Sequence, residues 1–152
     1  MTTLFLPFPP STNNLFCGGN KRRFKSKGYT AWIKQANAEL EYQKYYDGLK
    51  WKNHKGQVRI SLMLKAPTKA HNDVDNRIKA VLDFLVNNQI IVADDSRYVR
   101  SVMAMWHDEM RSPGCFVIIE DFPTVTKCPP SSALTAPPSN PVFPKKKARK
   151  PD

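Results

Sequence analysis

Five aspartates and one lysine in the middle of the sequence have a spacing that suggests a shared site. They are Asp73, Asp75, Lys79, Asp83, Asp94 and Asp95. The first two are separated by one residue in what we expect to be extended chain, so their carboxylates can point to the same side. The next steps, to Lys79 and to Asp83, are four residues each and predict one polar stripe along a helix. The acids converge if the chain returns there after the helix.

A cluster of carboxylates is unfavourable unless a cation shares it. Two like charges 4 Å apart repel by about 4 kcal/mol at an effective dielectric of 20. Oxygen ligands favour Mg²⁺, with Mn²⁺ possible, over zinc. Such an ion can polarise a phosphodiester and orient an attacking water, and Lys79 is placed to meet the charge that builds on the phosphate. The pattern therefore indicates metal-dependent phosphodiester hydrolysis.

The same residues also have a purely structural interpretation. Asp75, Lys79 and Asp83 are compatible with a surface ladder of ion pairs worth a few tenths of a kcal/mol each. Asp75 also suits the N-cap of the helix that follows. An EF-hand is a poor fit because Ile78 stands where the tight turn needs glycine. The cysteines and histidines lack the short paired spacing of a zinc site, and we expect the cysteines to be unpaired.

The charge balance predicts a polyanionic partner. The sequence holds 24 Lys and Arg against 13 Asp and Glu, a net charge of +11, which favours nucleic acid. One basic segment includes Phe24 and suits phosphate contacts with base stacking, although a solvated loop is the alternative. Its candidate DNA-binding residues are Lys21, Arg22, Arg23, Lys25 and Lys27.

Hydrophobic periodicity predicts an α+β domain. The predicted elements are a strand near residues 3–8, a helix over 29–46, a strand over 58–65, a helix that follows Asp75 and ends at Asn87-Asn88, and strands over 98–106 and 114–120. This β-α-β-α-β-β order predicts a mixed sheet with the helices packed on one face. We expect Trp32, Trp51 and Trp106 to be core or interface residues rather than base-stacking platforms.

The composition changes after Pro123 and divides the chain into two parts. We expect residues 1–123 to form one domain and residues 124–152 to be a disordered, Pro-rich basic tail. The tail has seven Pro, and its six Lys or Arg against one Asp leave +6 on residues 1–123. No signal peptide and no apolar run of about 20 residues is found, which predicts a cytoplasmic protein with no membrane partner.

The acidic stretch resembles the RusA family of Holliday junction resolvases, the crossover junction endodeoxyribonucleases. The family pattern is Asp-x-Asp-Asn, a Lys four residues after the second Asp, an Asp four later, and a downstream Asp-Asp. The residues that match are Asp73, Asp75, Asn76, Lys79, Asp83, Asp94 and Asp95. The segment Leu-Pro-Phe-Pro-Pro-Ser-Thr-Asn-Asn at residues 6–14 is similar to the start of that family. The resemblance spans about residues 3–121.

The resemblance implies a bacterial or phage-encoded homodimer that binds four-way DNA junctions. Such an enzyme nicks two strands symmetrically with Mg²⁺ in DNA recombination and repair. By motif position, Asp73, Asp75 and Asp95 are the implied metal ligands and Lys79 the catalytic cation, while Asn76, Asp83 and Asp94 are supporting residues. The tail departs from the compact family pattern. Two alternatives remain open: a catalytically silent DNA-binding accessory protein, and a metal-dependent nuclease acting on flaps or other branched DNA.

Overall fold

A computed structural model describes residues 1–18, 22–48, 50, 53–69 and 71–123. The tail predicted at residues 124–152 lies outside the described residues, as do Lys21 and Trp51. The predictions made for them therefore stay predictions.

The secondary structure follows the predicted order with one addition. In chain order the elements are β1 (Thr2–Leu6), β2 (Phe16–Cys17), β3 (Phe24–Lys25), α1 (Lys27–Tyr46), β4 (Val58–Lys65), α2 (Ile78–Asn87), β5 (Val99–Trp106) and β6 (Gly114–Asp121). The addition is the hairpin of β2 and β3, in a stretch where the sequence pattern predicts a loop. Two-residue strands are too short to show an alternating pattern.

Four strands form a mixed sheet in the order β1-β6-β4-β5. β6 is antiparallel to both of its neighbours, whereas β4 and β5 are parallel. Parallel neighbours need a crossover connection, and α2 supplies it because it lies between β4 and β5 in the sequence. The predicted α+β class with a mixed sheet is confirmed.

Both helices cover the same face of this sheet. Alternate residues of β4, from Val58 to Leu64, are buried, and they share one hydrophobic cluster with Trp32 of α1 and Phe84 of α2. The ring of Trp32 meets that of Phe84 edge to face at 5.6 Å. Complete burial of one large apolar side chain stabilises the fold by about 1.5 to 3 kcal/mol. The prediction of Trp32 as a core residue is therefore confirmed.

The opposite face of the sheet is apolar and exposed. Phe116, Met105 and Met103 keep 37%, 42% and 50% of their surface accessible. Phe116 of β6 lies opposite Phe5 of the neighbouring strand β1, and the two rings meet edge to face at 5.1 Å. Gly114 lies under the Phe5 ring, since a Cβ there would come within 2.3 Å of it. We call this surface, on the side away from the helices, the open sheet face.

One edge of the sheet is covered by a side chain at a single residue. Phe5 of β1 donates its backbone N–H to Gln43 Oε1 at 2.8 Å, and Gln43 Nε2 donates to the Phe5 carbonyl at 2.7 Å. The Gln43 amide thus makes the pair of hydrogen bonds that a neighbouring strand would make.

Candidate active site

The acidic motif begins in a tight turn that leads into α2. Asp75 is the first residue of a 3₁₀ turn, Asp75–Arg77, which runs directly into the helix. The expectation that Asp75 caps α2 from extended chain is wrong. Val74 already has helical backbone angles, and Arg77 occupies the N-cap position of α2. The turn closes through the backbone, because the Arg77 N–H donates to the Val74 carbonyl at 3.2 Å.

The N-terminal segment holds this turn in place. The Thr12 hydroxyl donates to the Asn76 carbonyl at 3.0 Å, and Arg77 Nη1 donates to the Pro9 carbonyl at 3.1 Å. The Arg77 guanidinium also lies 4.9 Å from the centre of the Phe8 ring. Burial lowers the pKa of Arg77, and Asp73 opposes that shift. Arg77 is a positioning residue that the sequence analysis missed, and these contacts give residues 6–14 a structural role.

Lys79 joins two carboxylates from different parts of the chain. Its Nζ donates to Asp83 Oδ1 at 2.6 Å, one helical turn on, and to Asp94 Oδ2 at 2.7 Å, beyond the helix. Partial burial lowers the pKa of Lys79, but the hydrogen bonds to Asp83 and Asp94 outweigh it, so the pKa is raised. The ammonium group therefore stays protonated.

The return of Asp94 to Lys79 depends on the turn after α2. Gln89 has a φ of 57° and reverses the chain, and the buried Ile90 and Ile91 follow it. The Ile90 N–H donates to the Leu85 carbonyl, and the Ile90 carbonyl accepts from the His54 N–H, both at 2.9 Å. The loop that carries Asp94 is thereby fixed on its N-terminal side.

The first two acids of the motif are exposed. Asp73 accepts a hydrogen bond from Asn76 Nδ2 at 3.1 Å. The Asp75 side chain has no hydrogen bond and no ion pair with any described residue, and Asp73 likewise has no ion pair within that part of the chain. Of the described cations, only Arg77 acts on Asp73, and it does so without direct contact. This side of the turn therefore keeps negative charge that attracts cations.

Asp95 turns towards Arg97. It accepts from the Arg97 backbone N–H at 2.9 Å and from Nε and Nη2 at 3.1 and 2.8 Å. The side-chain hydrogen bond from Arg97 lowers the pKa of Asp95, which stays ionised. The described residues contain no group of three or more His, Cys, Asp or Glu side chains that could hold a metal ion. The assignment of Asp73, Asp75 and Asp95 as ligands therefore stays a prediction.

The basic segment lies beside the acidic motif. Arg23 covers the Phe16 ring at 4.6 Å, and Lys25 lies 5.7 Å from the centre of the Tyr29 ring. Burial raises the pKa of Tyr29, and the Asp83 carboxylate raises it further. Tyr29, which the sequence pattern does not single out, therefore lies near Lys25 and within electrostatic range of Asp83 and Lys79. The remaining described cations, Arg22 and Lys27, are exposed.

The hairpin that presents the basic segment needs glycine at one position. Gly18 has a φ of 111°, and a Cβ there would lie 2.1 Å from the Arg22 carbonyl oxygen. The chain can therefore turn closely enough to pair β2 with β3 only with glycine at this position.

Comparison with known families decides the class of protein. The family model of the endodeoxyribonuclease RusA matches residues 7–120 of the 152. The chain belongs to the RusA family. As a RusA-family protein it is a Holliday junction endodeoxyribonuclease, a phosphodiester hydrolase whose substrate is branched DNA. The nucleases of this family are metal-dependent. No curated protein matches the chain.

The match to RusA includes all of the acidic motif and all of the basic segment. The resemblance proposed from the sequence and the mixed α+β fold are both confirmed. Cys17 and Cys115 are free, as expected, and burial raises the pKa of the Cys115 thiol to about 12. None of the described helices is long and apolar enough to cross a membrane.

Proposed function

We propose that this RusA-family chain resolves four-way junctions through paired, Mg²⁺-dependent nicks, with Asp73, Asp75 and Asp95 holding the ion and Lys79 acting on the phosphate. The observation that carries the proposal is the contrast within the acidic motif. The Asp75 carboxylate has no ion pair with any described residue, and among the described cations Asp73 has only the longer-range attraction of Arg77. Lys79, four residues after Asp75, is instead held by two other carboxylates. This contrast supports a metal ion at the two aspartates beside a fixed ammonium group.

The three proposed ligands fit Mg²⁺ by their chemistry. All are carboxylates, the donors that hard divalent cations prefer, and Mn²⁺ suits the same set. Asp95 is engaged by Arg97, but this pair is exposed, with side-chain exposures of 40% and 77%. Ion pairs that are exposed to water stabilise a fold only weakly, so a divalent ion can displace Arg97. When bound, Mg²⁺ supplies Lewis-acid polarisation of the phosphate and activation of water.

Asp83 and Asp94 are proposed to position Lys79 rather than to bind metal. Their carboxylates keep the ammonium protonated and limit its rotamers before DNA arrives. A cation held in advance against the phosphate stabilises the charge that develops in the transition state without reorganisation. Asn76 has a similar supporting role, because its amide donates to Asp73.

The basic segment is proposed to bind the DNA backbone. Its members are Lys21, Arg22, Arg23, Lys25 and Lys27. The neighbouring Phe24 ring is 61% exposed and available for base stacking. Lys25 lies 5.7 Å from the centre of the Tyr29 ring, and the pKa of Tyr29 responds to Asp83 and Lys79. A strand bound by the segment can therefore extend towards the acidic motif.

A panel of DNA substrates tests this function. Purified protein is incubated with four-way junction, flap, single-stranded and linear duplex DNA, with and without Mg²⁺, and the nicks are mapped. We expect paired nicks at related positions in opposing strands of the junction, only with the metal. Preferred cutting of flaps would support the alternative substrate, and metal-independent nicking would contradict the proposed mechanism.

We also propose a homodimer whose subunits meet through the open sheet face. Four-way junctions have approximate two-fold symmetry, and paired nicks need two active sites, so an isologous dimer satisfies both. Phe116 and Met105 are joined across β4 by Met63, and with Met103 they form an apolar strip on this face. Such a strip costs free energy in water, and a second copy can cover it because it is complementary to itself.

We expect Phe116→Lys to shift the protein from dimer to monomer and to lower junction nicking. A lysine within the strip on each subunit would place two like charges in the proposed interface. Light scattering after size exclusion, at micromolar concentration, measures the mass. Tyr45→Lys is the matched control, since Tyr45 is an exposed aromatic residue of α1, on the other side of the sheet. A Phe116→Lys protein that stays dimeric would show that the subunits meet through another surface.

A further inference from the structure

A small cleft lies next to the acidic motif and is lined by groups that suit a nucleobase. It lies between the loop after β4 and the end of β5, with a volume of about 260 Å³. Its polar and aromatic lining comprises Thr68, Lys69, His71, Asn72, Trp106 and Asp108. Pockets that bind drug-sized ligands have volumes of roughly 300 to 1,000 Å³, so a cleft of this size suits a smaller planar group.

Trp106 is held as a stacking surface. It ends β5 opposite Leu64 of β4, and its indole stacks on Phe8 with 6.2 Å between the ring centroids and 27° between their planes. The Arg77 guanidinium lies 4.9 Å from the centre of the Phe8 ring and so holds Phe8 in place beneath Trp106. The indole is nevertheless 38% exposed. The expectation that Trp106 is a core or interface residue is thus only partly met, because its remaining surface lines the cleft.

Asp108 is an unexpected group on a surface next to a motif that is proposed to act on DNA. A carboxylate repels phosphates, but it accepts hydrogen bonds from the exocyclic amino groups of bases. Lys69 in the same cleft can meet the phosphate of the same nucleotide. Aromatic surface, acceptor and cation are together the groups that recognise one unpaired nucleotide with an amino-bearing base.

We propose that this cleft binds an unpaired nucleobase bearing an exocyclic amino group, stacked on Trp106 with Asp108 as the acceptor for its edge. The inference rests on the proposed junction-cutting function and adds a determinant of where the cut falls. Asn72 lines the cleft, and the next residue in the chain is Asp73, the first residue of the acidic motif. Because consecutive Cα atoms are about 3.8 Å apart, the cleft and the motif are adjacent. A base bound here fixes the phosphate that reaches that motif. The branch point supplies such a base at little unpairing cost.

Fluorescence of a base analogue tests the stacking without cleavage. Junctions carry 2-aminopurine, which bears an exocyclic amino group, at each position next to the branch point, and they are titrated with full-length protein in EDTA. We expect the 2-aminopurine fluorescence to be quenched at one position. Trp106→Phe should retain this quenching, whereas Trp106→Leu should lose it and bind the junction about tenfold more weakly. Tyr45→Leu, which removes an exposed aromatic ring far from the cleft, should behave like the wild type. Circular dichroism confirms that each variant is folded.

The nick pattern tests the acceptor. Junctions with each base at the identified position are cut in Mg²⁺, and KM and kcat are compared. We expect Asp108→Asn to reduce the discrimination against thymine by about tenfold, chiefly in KM, whereas Glu109→Gln, which removes the same charge one residue away, should not. Excess free nucleoside monophosphate should not compete, because the cleft alone supplies few of the contacts with the junction.

The two proposals fail in different ways. Wild-type protein that neither binds nor nicks junctions would overturn the proposed function. Normal junction nicking, with the same quenching and the same base preference in Trp106→Leu and Asp108→Asn, would overturn the base cleft and leave the function standing.

Discussion

Asp75→Asn should abolish nicking of four-way junctions while leaving the fold intact. The amide keeps the shape of the side chain but removes the charge that attracts the divalent ion. Because Asp75 is exposed and has no partner among the described residues, the free energy of unfolding should change by less than about 0.5 kcal/mol. We expect the nicking rate to fall at least about a hundredfold, and junction binding to persist or tighten because one charge that repels phosphate is gone.

The measurements are nicking rate, junction affinity and Mg²⁺ titration on the same protein preparation. Asp47→Asn, at the exposed end of α1, removes an equal charge far from the motif and should nick normally. Asp73→Asn and Asp95→Asn should match Asp75→Asn if the three share one ion. Normal Mg²⁺-dependent nicking by Asp75→Asn would remove it from the catalytic site and return the motif to a surface ladder of ion pairs.

Lys79→Ala should lower turnover without loss of metal binding, unlike the aspartate variants. The ammonium is proposed to meet charge that develops only in the transition state, so its loss should lower kcat by about a hundredfold or more with little change in KM. Divalent-metal binding should persist, or strengthen, because Asp83 and Asp94 lose the cation that lies 2.6 and 2.7 Å from them. Lys79→Arg keeps the charge with a different shape and should recover only part of the rate.

The matched control for this variant is Lys34→Ala, because Lys34 is an exposed lysine of α1. The decisive comparison is between metal binding and turnover. Loss of both together in Lys79→Ala would show that the lysine holds the site together, and wild-type turnover would show that it is a structural ion pair.

Regular elements were predictable where a periodic pattern is long enough to be unambiguous. The strand Val58–Lys65 was predicted with both its ends because eight residues alternate without interruption. The first helix was expected from residue 29 but begins at Lys27, because Ser26 accepts the Tyr29 N–H at its N-terminus. The order of the four strands could not be predicted, since it depends on pairing between residues far apart in the sequence.

Within the acidic motif, the sequence predicts contacts between helical neighbours but not contacts made by turns or by distant segments. The spacing of Lys79 and Asp83 predicts their ion pair, because residues four apart on a helix are neighbours. The partnership of Asp95 with Arg97 follows from a local turn that no helical pattern reveals. Arg77 was missed because its contacts are with Pro9 and Phe8, nearly seventy residues away. A lone arginine gives no sign of such distant partners.

The Gln43 amide that covers Phe5 also limits how large an assembly of these sheets can become. A sheet with two open outer strands can add copies at both ends, and association then continues into ribbons of unlimited length. Here β1 is one outer strand and β5 the other, and Gln43 satisfies the backbone groups of Phe5 on the β1 side. Strand-by-strand growth at the β1 end is therefore disfavoured at Phe5. A dimer that forms through the open sheet face is then less prone to further edge-to-edge association. One glutamine thus works against open-ended growth of the sheet.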